Sequence, residues 1–169
     1  AVYALAGTGS GTSDTARFDI GFTTATPDTL VLQGGTTVFR RSNRVLRDPS
    51  AFIHIVVACD TTQGTEANKL VAYVNNEAIT WQTTNTITTC GFNTAASSTL
   101  GGANAANYFD GVLAQACFVD GQALSPSSFA ALDANNVWKP LTSAQINTNV
   151  GTWGNNGFLL DFADTASTT

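Results

Sequence analysis

The sequence predicts an all-β protein, a sandwich or barrel of short antiparallel strands. Three observations carry this. Runs of β-branched and aromatic residues alternate closely with clusters of Gly, Asn, Asp, Ser and Thr. Helical periodicity is almost absent. Charged residues make up 11% of the chain, against roughly 25% in typical soluble domains. Neutral polar residues replace them, which suits outward strand faces and surfaces that meet other protein surfaces, where buried charge is costly. At 169 residues the chain fits one domain, 1–169, with a core that needs no staples. The absence of Met and the abrupt ends "AVYALAG" and "DFADTASTT" suggest processed termini or an excerpt of a longer chain.

Strands are expected near residues 15–24, 28–33, 36–41, 51–60, 69–75, 77–82, 108–119 and 157–163. The third leads into "RRSNRVLR", where Arg40, Arg41, Arg44 and Arg47 read as a solvated strand face or an interface rather than an anion site. The fourth, "AFIHIVVACD", puts Ile53, Ile55, Val57 and Cys59 on one face, and Phe52, His54, Val56, Ala58 and Asp60 on the other. Both faces are largely apolar, so a central strand covered on both sides is expected. Pro49 marks its entrance. In "LVAYVNNEAITW" two strands flank Asn75-Asn76, a pair suited to a two-residue hairpin turn because asparagine tolerates positive φ. The loop "DTTQGTEANK" before them is polar and expected at the surface.

"TLGGANAANYF" reads as a loop leading into "YFDGVLAQACFVDGQ", a strand with Asp110-Gly111 and Asp120-Gly121 at its ends. "SPSSFAALD" starts the one short helix, with Ser125 as cap and Pro126 in the first helical position. Trp138, Trp153, Phe158 and Phe162 are expected to anchor the C-terminal section as core residues. The predicted core includes Ile55, Val57, Val71, Tyr73, Phe118 and Phe158.

Several function classes lack their parts. The net charge of −5 argues against nucleic acid. No apolar run approaches the ~18 residues of a membrane span. No Gly-rich phosphate cradle is present. The single histidine, His54, has no ligand spacing around it and reads as a half-buried, hydrogen-bonded side chain. Cys59, Cys90 and Cys117 show no CxxC spacing, so three free thiols and no stable disulfide are expected.

Three segments in order, "RDPSAFIHIVVACDTTQGTEANKLVAYVNNEAIT", "YFDGVLAQACFVDGQALSPSSF" and "GTWGNNGFLLDFAD", resemble a family of bacteriophage and marine-virus virion proteins with a concanavalin A-like, laminin-G-like domain. The likeness spans roughly residues 44–164. Where that family carries Trp-Tyr-His, an Asn-Gly hairpin and Gly-Thr-Tyr-Gly-Thr-Asn-Gly-Phe, this chain has Phe52-Ile53-His54, Asn75-Asn76 and the run Gly151 to Phe158. The resemblance implies a jelly-roll β-sandwich of two antiparallel sheets. It also implies a non-enzymatic tail or capsid-surface (decoration) protein on an extracellular virus particle. Its partners would then be other virion proteins and copies of itself, without nucleic acid or membrane. The alternative is a glycan-binding adhesion module for host-surface carbohydrate, since fold alone does not decide function.

The candidate sites follow from these two readings. For glycan, the candidates are Trp81, at the end of the second hairpin strand, with Asn107 and Tyr108. An exposed Trp81 favours binding and a buried one does not. Asp110 and Asp120 read first as turn residues, each paired with a glycine. Calcium held by these carboxylates is the alternative, the one cofactor considered. Catalysis is not expected. A glycosidase needs two carboxylates about 5–9.5 Å apart across a cleft, and the only glutamates, Glu66 and Glu77, fall in a polar loop and beside a hairpin turn. No GxSxG elbow accompanies His54.

Overall fold

The computed structural model describes residues 2–9, 17–23, 28–34, 37–48, 50–92, 98–102 and 108–163. Pro49, Asn107 and parts of the expected strands at 15–16, 24 and 36 lie outside the described residues. The chain resolves into two compact units, Ala1–Asp110 and Gly111–Thr169.

In the first unit the strands are β1 (Val2–Gly9), β2 (Arg17–Thr23), β3 (Thr29–Gly34), β4 (Thr37–Val45), β5 (Ile55–Cys59), β6 (Leu70–Val74), β7 (Glu77–Ala78), β8 (Trp81–Thr84) and β9 (Ser98–Leu100). A single helical turn, α1 (Glu66–Lys69), precedes β6. One sheet has six strands in the order β8-β4-β3-β2-β1-β9, and the other has three in the order β5-β6-β7. Every pairing is antiparallel. The all-β, antiparallel class expected from the alternating pattern is thus observed.

Two clusters form the core of this unit. Leu32 and Phe39 meet Leu70 and Ile87 in one. Leu30 meets Ala72, Val74 and Ile79 in the other. Each joins side chains of β3 to side chains of β6, so the sheets face one another as in a sandwich. Burying each leucine contributes roughly 1.5–3 kcal/mol.

The strand covered on both faces is β3, where Leu30, Val31 and Leu32 are all fully buried. β5 was expected in that role. It instead has one hydrogen-bonded neighbour among the described residues, β6, and its residues are all half-buried. Ile55 and Val57 do pack on the core, opposite Val74 and Ala72. On β6 the face is reversed from expectation: Leu70, Ala72 and Val74 point inward, and Val71 and Tyr73 are half-buried on the other face. Both faces of "LVAYV" are apolar, so period two alone could not choose between them.

The hairpin on Asn75-Asn76 is present, with φ of 50° and 71° and Val74 paired to Glu77. The expected strand 77–82 is divided. β7 belongs to the three-stranded sheet and β8 to the six-stranded one, and buried Ile79 marks the crossing.

The arginine segment is divided: Arg40 is fully buried and Arg41 half-buried, while Arg44 and Arg47 are exposed as a solvated strand end. Register shifts in the β3–β4 pairing set Phe39 as an extra residue between Val38 and Arg40. This bulge buries two adjacent side chains, Phe39 and Arg40. Arg40 donates to the carbonyls of Phe39, Asn85 and Glu66 at 2.9, 2.7 and 2.7 Å, and to the Glu66 carboxylate at 3.3 Å. Glu66 also accepts from the Ile87 N–H at 2.8 Å and pairs with Lys69 at 3.2 Å. Arg44 pairs with Glu77 at 2.6 Å, and Arg47 with Asp28 at 3.1 Å.

The second unit contains β10 (Ala116–Phe118), β11 (Ala130–Leu132), β12 (Trp138–Pro140), α2 (Ser143–Val150) and β13 (Phe158–Leu160). β10 pairs with β13, and β11 with β12. The strand expected over 108–119 is only Ala116–Phe118. The expected helix at Pro126 is a single 3-10 turn, Pro126–Ser128. Ser125 stands in the cap position but makes no side-chain cap bond. Among the described residues the longest helix is α2, which lies later and which the sequence reading does not place.

Candidate functional site

The feature of the second unit that best fits a ligand is an open groove between α2 and β13. "LTSAQINTNV" folds as a helix because Thr142 and Gln145 form a reciprocal capping box: the Thr142 hydroxyl accepts from the Gln145 N–H, and the Gln145 side chain accepts from Thr142 N–H at 3.0 Å. Ser143 and Asn147, four residues apart, fall on one helix face. The opposite wall is Trp153, Gly157, Phe158, Leu159 and Asp161. The groove is shallow and open to solvent, with a volume of about 460 Å³.

Its shape rests on the run Gly151 to Phe158. The Asp120 N–H donates to the Trp153 carbonyl at 2.9 Å. Gly154 has φ of 77°, and a Cβ there would lie 2.4 Å from the Asp120 carbonyl oxygen. A Cβ at Gly157 would lie 2.0 Å from the Trp153 carbonyl oxygen. Both glycines are therefore close-approach positions, Gly154 against the Asp120 backbone and Gly157 against the Trp153 backbone.

The groove's polar groups hold each other in place. Trp153 Nε1 donates to Asn147 Oδ1 at 3.0 Å. Ser143 Oγ donates to Asp161 Oδ2 at 2.7 Å, and the Ala163 N–H donates to Asp161 Oδ1 at 3.2 Å. The Ser143 hydroxyl and the Ala163 N–H hold the Asp161 carboxyl below its ordinary range, so it is ionised at neutral pH. Rings, a carboxylate, an amide and a hydroxyl line one surface. That combination can stack on apolar C–H faces and accept hydrogen bonds from hydroxyls.

None of the other expected site residues is among those that line this groove. Trp81 is half-buried and packs against both core clusters of the first unit. Tyr108 is 63% exposed. Asp110 and Asp120 fall in different units, the first exposed and the second half-buried. Of the two Asp-Gly pairs only Gly121 takes positive φ, at 84°. Among the described residues, no three His, Cys, Asp or Glu side chains gather as a metal site.

Glu66 is engaged by Arg40 and Lys69, and Glu77 by Arg44. The His54 N–H donates to Asn75 Oδ1 at 2.8 Å, and the Asn75 N–H returns to the His54 carbonyl at 2.9 Å, so His54 backs the hairpin turn. Burial pushes its imidazole below the ordinary range. Sequence reasoning missed Ser143, Asn147 and Asp161, and treated Trp153 and Phe158 as core. Thr142-x-x-Gln145 was the available signal, since a capping box would have placed the helix and its polar face.

No family model, curated protein or solved structure matches this chain.

Proposed function

We propose that this chain is a non-enzymatic structural protein of a virus particle, a tail or capsid-surface component that works in many copies beside other virion proteins. The observation that carries the reading is the β10–β13 ribbon. Phe158 and Leu160 lie on one face of β13 and are each 42% exposed. Two strands alone are marginal, and exposed apolar side chains on such a ribbon call for a cover. Sheet edges accept another chain's strand, and a surface this low in charge is cheap to desolvate against a neighbour.

The resemblance over residues 44–164 supplies the virion setting and the jelly-roll connectivity, and the facing sheets of the first unit are compatible with it. The ion pairs of Glu66 and Glu77 support a structural use of those carboxylates. Sedimentation of the purified chain tests the assembly. We expect a discrete oligomer that Leu160→Asp shifts toward monomer. A wild-type chain that sediments only as monomer at micromolar concentration overturns the reading.

A second reading, glycan binding, is favoured by one observation. Trp153 and Phe158 share a groove with Ser143, Asn147 and Asp161. Tryptophan fluorescence titrated with oligosaccharides tests it. Saturable quenching that is lost in Asp161→Asn supports the reading, and a flat response across neutral and acidic glycans ends it.

A further inference from the structure

Two thiols separated by 31 positions in the sequence meet in the first unit. Cys59 ends β5, in the three-stranded sheet. Cys90 follows β8, a strand of the six-stranded sheet, and precedes buried Gly91. Both side chains pack against the same cluster of Leu32, Phe39, Leu70 and Ile87. The Cys59 thiol hydrogen-bonds to the Cys90 sulfur, which also accepts from the Phe92 N–H. All three cysteines of the chain are free thiols in this structure, and Cys117 belongs to the other unit.

We propose that Cys59 and Cys90 are a reversible disulfide site, a redox staple between the end of β5 and the segment after β8, closed by exchange with a low-molecular-weight disulfide.

The chemistry balances with oxidised glutathione as the oxidant. The Cys90 thiolate attacks one glutathione sulfur, a mixed disulfide forms, and the first glutathione leaves as its thiolate. Cys59 loses its proton to solvent, its sulfur attacks Cys90 Sγ, and the second glutathione leaves. Two protein thiols are oxidised to one disulfide, and one small disulfide is reduced to two thiols. The order of attack follows from the local bonds. Hydrogen bonds from Cys59 and from the Phe92 N–H hold the Cys90 thiol below its ordinary range against the effect of burial, while the bond to Cys90 keeps Cys59 protonated. A disulfide is as apolar as the cluster that surrounds it. Closing this loop removes conformations from the unfolded chain, which is where most of the stabilisation is expected.

The test equilibrates the purified full chain with oxidised glutathione, then alkylates it under denaturing conditions and reads the mass. We expect one alkylated thiol, Cys117, and a Cys59–Cys90 cross-linked peptide after digestion. The melting temperature should rise by roughly 10 °C and return with dithiothreitol. Cys117→Ser should keep the cross-link and the shift, and Cys90→Ala should lose both. Three alkylated thiols, a persistent glutathione adduct without the cross-link, or cross-links through Cys117 in the wild-type chain would each overturn the proposal.

Discussion

Arg40 is fully buried, and its guanidinium is shared among three carbonyls and one carboxylate. Removing it leaves those carbonyls short of a donor, while Glu66 keeps Lys69 and the Ile87 N–H. Arg40→Ala should therefore destabilise the fold by about 1–3 kcal/mol, read as a lower denaturant midpoint. Arg47→Ala, at an exposed pair, should change it by less than about 1 kcal/mol. Asp133 makes a second residue-level prediction. Lys139 at 2.6 Å, with the Val137 and Asn135 N–H groups, holds its carboxyl at about 2, below the ordinary 3.8. The folded value is depressed, so its contribution is present above the ordinary value and is lost as pH falls toward about 2. Thermal melts between about pH 5 and pH 2 should fall less steeply in Asp133→Asn than in wild type. The sequence could not reveal the role of Arg40. "RRSNRVLR" has the composition of a solvated face, and the partner that draws Arg40 inward, Glu66, lies 26 residues away. Nor could it pair Cys59 with Cys90, because their meeting depends on how β5 and the segment after β8 fold over one cluster.

The elements divide by how local their causes are. The Asn75-Asn76 hairpin was legible because its cause is the backbone freedom of two adjacent asparagines. β3 and β4 were legible as strands, but their register shifts were not, since a bulge is chosen by what both strands pack against. The reversed face of β6 has the same origin. α2 was missed although its signal is local. Replacing both Thr142 and Gln145 with alanine removes the capping box and should cost about 1–2 kcal/mol, read as lost helicity and a lower melting temperature. The turn before β13 makes a sharper demand. Gly154→Ala would set a Cβ against the Asp120 carbonyl at positive φ. A loss of at least about 1–3 kcal/mol is expected, with perturbed tryptophan fluorescence from Trp153. Of the groove, the aromatic wall was visible in "GTWGNNGF" as aromatic residues only. Its polar wall depended on a helix the alternation reading did not place.

For the whole molecule, the central claim is that the chain works through repeated contact with its own copies and with neighbouring structural proteins. Low charge and the apolar face of β13 both favour desolvation against a protein surface over isolation in water. A stable contact of this kind should bury at least about 1,000 Å². The most direct measurement is mass photometry of the purified chain across a dilution series, with the Leu160→Asp variant beside it. The account predicts a single multiple of 17.6 kDa that persists on dilution and weakens in the variant. A monodisperse 17.6 kDa species at every concentration, identical for both proteins, would contradict it.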